Sequence, residues 1–170
     1  MTRSTRTFTP PATVGIVPYA EMAGIDGITF MRRMMAGDLP APPICRTGSF
    51  QATEVEPGRV VFEGEPSEDF HNPLGTVHGG WISMILDSAL GCVVHTMLEA
   101  GQAYTTLELK VNFVRPVLAT TGLVRAEALI IHLGGRIATS EARLADARGR
   151  LLAHGTSTCM IMDVPAAKAG

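Results

Sequence analysis

Apolar positions change their period several times along this chain. Between Ile25 and Gly37, the residues Ile25, Ile28, Met31, Met34 and Met35 recur every three or four places, which predicts a short amphipathic helix stopped by Gly37. Leu39-Pro40-Ala41-Pro42-Pro43-Ile44 follows, and its three prolines fix φ and delete amide donors, so an extended strap is expected there. The stretch from Thr53 to Glu65 reads as strand, divided at Pro57-Gly58. From about Gly79 to Ala100 the pattern becomes helical, with Gly101 placed to end it and apolar residues on nearly every face, which predicts a helix enclosed by protein. Four strand-like segments complete the chain: Ala103 to Val114, Thr121 to His132, Arg136 to Asp146 and Leu151 to Asp163. The later connections are short enough for hairpins. One long helix and a meander of about five to six strands, with an extra short N-terminal helix, predict an α+β domain in which an antiparallel sheet wraps a single helix.

With 170 residues, 46% of them hydrophobic and 18% charged, the chain suffices for one core. We expect a loose tail over 1–20, a helix and proline-rich strap over 21–50, the main domain over 51–164 and a flexible end over 165–170. The formal net charge is -2 and the 14 Lys and Arg are scattered, which argues against a nucleic-acid or anionic-membrane partner. Trp81 to Leu98 has the length of a membrane span but contains Asp87, Ser88 and His95, so a buried helix of a soluble protein is the better reading. Met1 to Pro11 lacks the apolar run of a secretory signal. Cys45, Cys92 and Cys159 are odd in number and far apart, as expected of reduced thiols in a cytoplasmic protein. The five histidines lack ligand spacing, so neither metal nor cofactor is expected.

The candidate chemistry lies in His71-Asn72-Pro73-Leu74-Gly75-Thr76-Val77-His78-Gly79-Gly80 and the apolar helix after it, which carries one carboxylate at Asp87. If Gly79 and Gly80 open the helix, their amides have no intrahelical partners and stand at the positive end of the helix dipole, suited to an oxygen that gains negative charge in a transition state. Asp87 is the candidate nucleophile or general base, since an isolated acid in an apolar helix needs a reason to be there. Asp87 stands eight residues beyond Gly79, or ~12 Å along a straight helix, whereas a reacting carbon needs both groups within ~3 Å. One chain cannot therefore supply both to one carbonyl. If the two cooperate, antiparallel helices of a two-fold homodimer must build two composite sites.

The pattern His71-Asn72-x-x-Gly75-x-x-His78-Gly79-Gly80, followed by Asp87-x-Ala89-x-Gly91, resembles the signature of the hotdog-fold acyl-CoA thioesterases of the phenylacetic-acid-degradation (PaaI-like) type. The resemblance covers roughly Thr53 to Met162, including Asn112-Phe113-Val114-Arg115-Pro116. It implies dimers with the active site between subunits, dimers that often pair into tetramers, and an acyl-CoA substrate. It further implies that Asp87 activates water or attacks the thioester, that Asn72 positions thioester or water, that Gly79 supplies the oxyanion-hole amide and that His78 supports the loop. A small hydroxyl residue early in the strand after the helix falls on Thr106, with Thr105 the alternative. Coenzyme A is expected near Gly80, Arg115 and the turn Gly134-Gly135-Arg136, whose arginines suit phosphates.

Two other readings are weaker. Asp69 to Leu74 superficially resembles a hotdog-fold hydratase motif, but that motif sets its histidine two residues after the proline, where this chain has Gly75. A non-catalytic acyl-CoA-binding protein would not need Asp87, Asn72 and Thr106 together. The Met-rich helix and strap lie outside the resemblance and could cover an apolar acyl pocket.

Overall fold

The glycine turn does begin a helix. His78, extended at φ -60 and ψ 137, caps α4 (Gly79–His95) by accepting the Gly80 amide on Nδ1 at 2.8 Å. This is a computed structural model, and it describes residues 8–163. Residues 1–7 of the expected tail, and the expected flexible end, lie outside the described residues.

Ahead of α4 come α1 (Tyr19–Ala23), α2 (Gly27–Ala36), α3 (Pro43–Thr47), β1 (Phe50–Glu56) and β2 (Arg59–Gly64). After it come β3 (Gln102–Phe113), β4 (Val124–Leu133), β5 (Ile137–Asp146) and β6 (Leu151–Asp163). The strands form one antiparallel sheet in the order β1-β2-β4-β5-β6-β3. This departs from a simple meander, because β3 crosses to the far edge beside β6 and leaves β4 to pair with β2. One side of β3 thus has no strand partner among the described residues.

The sheet packs against α4 through β2 to β6. Ile85, Leu86, Ala89, Leu90 and Val93 of the helix are fully buried, as are Val60, Val124, Ala126, Ala128, Leu144 and Ala153 of the sheet. Alanines dominate the inner face of β4, which lets the helix axis approach the backbone closely and bury its larger side chains. At each fully buried Leu or Ile, roughly 2–3 kcal/mol of transfer free energy favours this arrangement.

Three local expectations need correction. α4 ends at His95, short of Ala100, because Thr96 turns its hydroxyl back onto the Val93 carbonyl at 2.6 Å and accepts the Gly58 amide at 3.0 Å. The strap is extended only to Pro42, since Pro43 occupies the first position of α3, where its fixed φ suits a helix and no amide is required. Residues 9–15, expected to be loose, are tied down: Gly15 donates to the Ala41 carbonyl at 2.9 Å, Ala41 to Thr13 at 3.1 Å, and Gln51 Nε2 to Thr9 at 2.9 Å.

Candidate active site

The helix is not enclosed on every side. Met84, Asp87, Ser88 and Cys92 recur at helical spacing and remain half-buried, and the last three line a cavity of about 640 Å³. Across that cavity, Thr106 of β3 donates its hydroxyl to Asp87 Oδ1 at 3.3 Å. Thr106 pairs with the fully buried Cys159 and so shares the inner face, whereas Thr105 pairs with Met160 and takes the opposite one. A bulge at Leu107 follows Thr106. Cys92 lines the same cavity, but burial pushes its thiol up to about 12, and burial likewise raises Cys45 to about 11. Neither is a thiolate near neutral pH.

The glycine turn opens elsewhere. Gly79 lines a second cavity of about 340 Å³ with Thr76, Phe113 and Arg115, and the two cavities share no residue. An added Cβ on Gly79 would come within 3.0 Å of Phe113 Cζ, so the ring of Phe113 marks where the turn meets β3. The amide of Gly80, expected to contact substrate, is held by His78 Nδ1 at 2.8 Å. Asn72 is also occupied: its side-chain oxygen accepts the Leu74 amide at 2.9 Å and the Thr76 amide at 3.3 Å, while Nδ2 donates to Thr76 Oγ1 at 2.8 Å. It therefore shapes the turn around Gly75, whose φ of 75 is left-handed, and lines neither cavity.

Residues 74–153 match the family model described as the thioesterase superfamily. A 1,4-dihydroxy-2-naphthoyl-CoA hydrolase from Listeria monocytogenes is 30% identical over 115 residues, covering 68% of this chain and 92% of that protein. The chain belongs to the thioesterase superfamily. The proofreading thioesterase EntH of Klebsiella pneumoniae is 31% identical over 98 residues, 58% of this chain and 70% of its own. Among solved structures, a phenylacetic acid degradation-related protein from Ralstonia eutropha JMP134 aligns with TM-score 0.71 at 31% identity, covering 77% of this chain and 98% of that one. The fold is the hotdog fold and the protein is a thioester hydrolase.

Within one copy of this thioesterase the expected coenzyme A contacts are far apart. Arg115 follows the Phe113 end of β3 and donates to the Leu151 carbonyl at 2.5 Å. The turn Gly134-Gly135-Arg136 lies beside Met160 and Ile161, at the Tyr104 end of the same strand. Sequence reasoning did not single out Ser88 and Tyr104 as lining the Asp87 cavity, nor the stretch from Thr9 to Thr13. The signal for Ser88 was present, since a serine next to Asp87 widens the polar stripe on an otherwise apolar helix.

Proposed function

We propose that this thioesterase hydrolyses acyl-CoA thioesters to free acid and coenzyme A at a composite site formed by two copies of the chain. The observation that carries this reading is the division of the machinery. Asp87 and Thr106 stand in one cavity and Gly79 and Arg115 in another, along a strand whose outer edge has no strand partner among the described residues. Thr106 and Phe113 are seven residues apart, ~23 Å along a strand. If two β3 edges pair antiparallel with Lys110 on the two-fold axis, the bulge at Leu107 brings Thr106 opposite Phe113 of the partner subunit. The partner's Gly79 turn then faces Asp87. The exposed Leu107, Phe113 and Val114, at 55%, 56% and 45%, give this edge an apolar face to bury. The same pairing moves Arg115 toward Arg136 of the partner subunit, gathering two cations for the phosphates of coenzyme A.

In the reaction, Gly79 of the partner subunit donates its amide to the thioester oxygen, and the helix dipole behind it favours the charge that develops there. Asp87 supplies the attacking oxygen, either its own or that of a water it deprotonates, while Thr106 fixes the carboxylate rotamer. Collapse of the intermediate expels the coenzyme A thiolate, which takes up a proton; where Asp87 attacks directly, a water then cleaves the acyl-aspartyl anhydride to free acid and the Asp87 carboxylate. The three cysteines, all unpaired, support a reducing, cytoplasmic setting. The test is thiol release from a panel of acyl-CoA thioesters. Turnover is expected, and label found on Asp87 after a single turnover in 18O-water establishes direct attack with the anhydride cleaved at the Asp87 carbonyl, since general-base hydrolysis labels only the acid. Absence of hydrolysis across the panel would overturn the assignment.

A further inference from the structure

The cavity behind Asp87 extends well past the thioester position. Along α4 its lining runs from Asp87 to Cys92, ~7–8 Å of helix, while Tyr104 and Thr106 form the opposite wall. Its remaining wall comes from the N-terminal quarter of the chain: Thr9 to Thr13, Met34 and Met35 of α2, and Ile44 and Cys45 of α3. The family match begins at Leu74, after all of these. The Ralstonia eutropha structure is matched over 98% of its own length yet covers only 77% of this chain. This wall therefore lies ahead of the residues that the family model matches. It is also held firmly, because the strand-like pairing of Val14 with Ala41 and the Gln51 to Thr9 hydrogen bond fasten it across the opening.

The chemistry of this N-terminal wall is apolar and adaptable. Met35 and Ile44 line the cavity with 41% and 42% of their surface exposed, so they present side chains to it without being committed to the core. Methionine thioethers conform to flexible hydrocarbon better than to a fixed ring outline. Two of the polar donors in the lining are already engaged: Ser88 donates to the Met84 carbonyl at 2.9 Å and Gln51 Nε2 to Thr9. An alkyl chain needs no polar partner in such a lining.

We infer that the N-terminal wall closes the Asp87 cavity into an acyl chamber for medium-length aliphatic chains, and that Ile44 and Met35 set its depth. The inference rests on the thioesterase reading above. The experiment compares kcat/KM for acetyl-, hexanoyl-, decanoyl-, palmitoyl-, benzoyl- and dihydroxybenzoyl-CoA in the wild-type chain, Ile44→Trp and Ile44→Ala. The expected wild-type profile peaks at hexanoyl or decanoyl and falls at both aryl thioesters. Ile44→Trp should lower the decanoyl-to-hexanoyl ratio by about tenfold, on the scale of a few methylenes lost from an apolar pocket, and Ile44→Ala should move it the other way. Opposite shifts from one position cannot arise from general damage to the fold. Binding of non-hydrolysable acyl-CoA thioethers, measured by calorimetry on the same variants, reads chamber length without turnover. If no thioester is cleaved but thioether affinity follows the same length profile, the chamber stands and the hydrolase assignment falls. An aryl preference, or ratios unchanged in both variants, overturns the chamber.

Discussion

At the scale of single residues, two side chains on the inner face carry most of what can be tested. Asp87 has one oxygen held by Thr106, and the other is left for chemistry. Asp87→Asn keeps the shape and hydrogen bonding but removes the negative oxygen, so kcat should fall by about 10² or more with little change in melting temperature. Thr106→Val deletes only the positioning hydroxyl, a net ~1 kcal/mol, and should cost about fivefold to tenfold in kcat. Steady-state kinetics on both variants checks the order, and a larger loss in Thr106→Val than in Asp87→Asn would reverse the roles. His95 makes a separate prediction, about stability. Neither ring nitrogen has a hydrogen-bond partner among the described residues, and the ring lies between Phe30 and Tyr104 at 5.1 and 5.8 Å. Burial pushes its pKa down to about 4, from an ordinary value near 6.5. Between these values the unfolded chain binds the proton that the folded chain refuses, so stability is full above pH ~6.5 and declines as pH falls toward ~4, by about 3 kcal/mol in all. His95→Leu should flatten this part of the curve and add about 1–2 kcal/mol near neutrality, as two unpartnered nitrogens disappear. Urea unfolding of both chains across that range decides it. The acid limb of the wild-type chain should steepen below it, where Glu54, held low by its hydrogen bonds to Arg59 and Arg125, takes up its proton.

At the scale of elements, the start of α4 permits an unusually clean substitution. Gly79 is the first helical residue, where proline is tolerated, and His78 before it is already extended, the conformation that a following proline demands. Gly79→Pro therefore deletes the amide hydrogen while leaving the helix intact, with the half-exposed Phe113 ring able to shift from the new side chain. We expect circular dichroism like that of the wild type and a loss of about 10² to 10³ in kcat. The helix start was legible in the sequence because two glycines precede an apolar run. Its end was not, because the Thr96 hydroxyl and the Gly27 amide on the Leu98 carbonyl are tertiary matters that no local period reports. Strand boundaries could be read from turn residues, but the place of β3 could not, since pairing with β6 is decided by how the sheet closes around α4. Asp87 stood out as a candidate by its isolation among apolar residues, and it lines a cavity beside Thr106. That His78 would take the Gly80 amide, and that Asn72 would be spent on its own turn, needed the three-dimensional path of residues 70 to 80.

At the scale of the whole molecule, everything depends on the second copy. With Lys110 on the axis, Lys110→Cys should give a covalent dimer with a short bis-maleimide, and Thr105→Cys should not cross-link to itself, since its counterpart stands near the far end of the partner's strand. Equal yields at the two positions would rule out this register. Complementation goes further because it reads the site itself. In an Asp87→Asn homodimer both sites lack the acid, and in a Gly79→Pro homodimer both lack the amide, so each preparation should be nearly inactive. Dissociated and reassociated together at equal concentration, half the dimers would be mixed. Each mixed dimer would hold one site with both defects and one with neither, restoring about a quarter of wild-type activity if subunits pair at random. A site confined to a single chain has no such route back, because every polypeptide in the mixture carries one lesion. Activity of the mixture no greater than the sum of its parts, with subunit exchange verified by native mass spectrometry, would end the composite-site proposal while leaving membership of the thioesterase superfamily untouched.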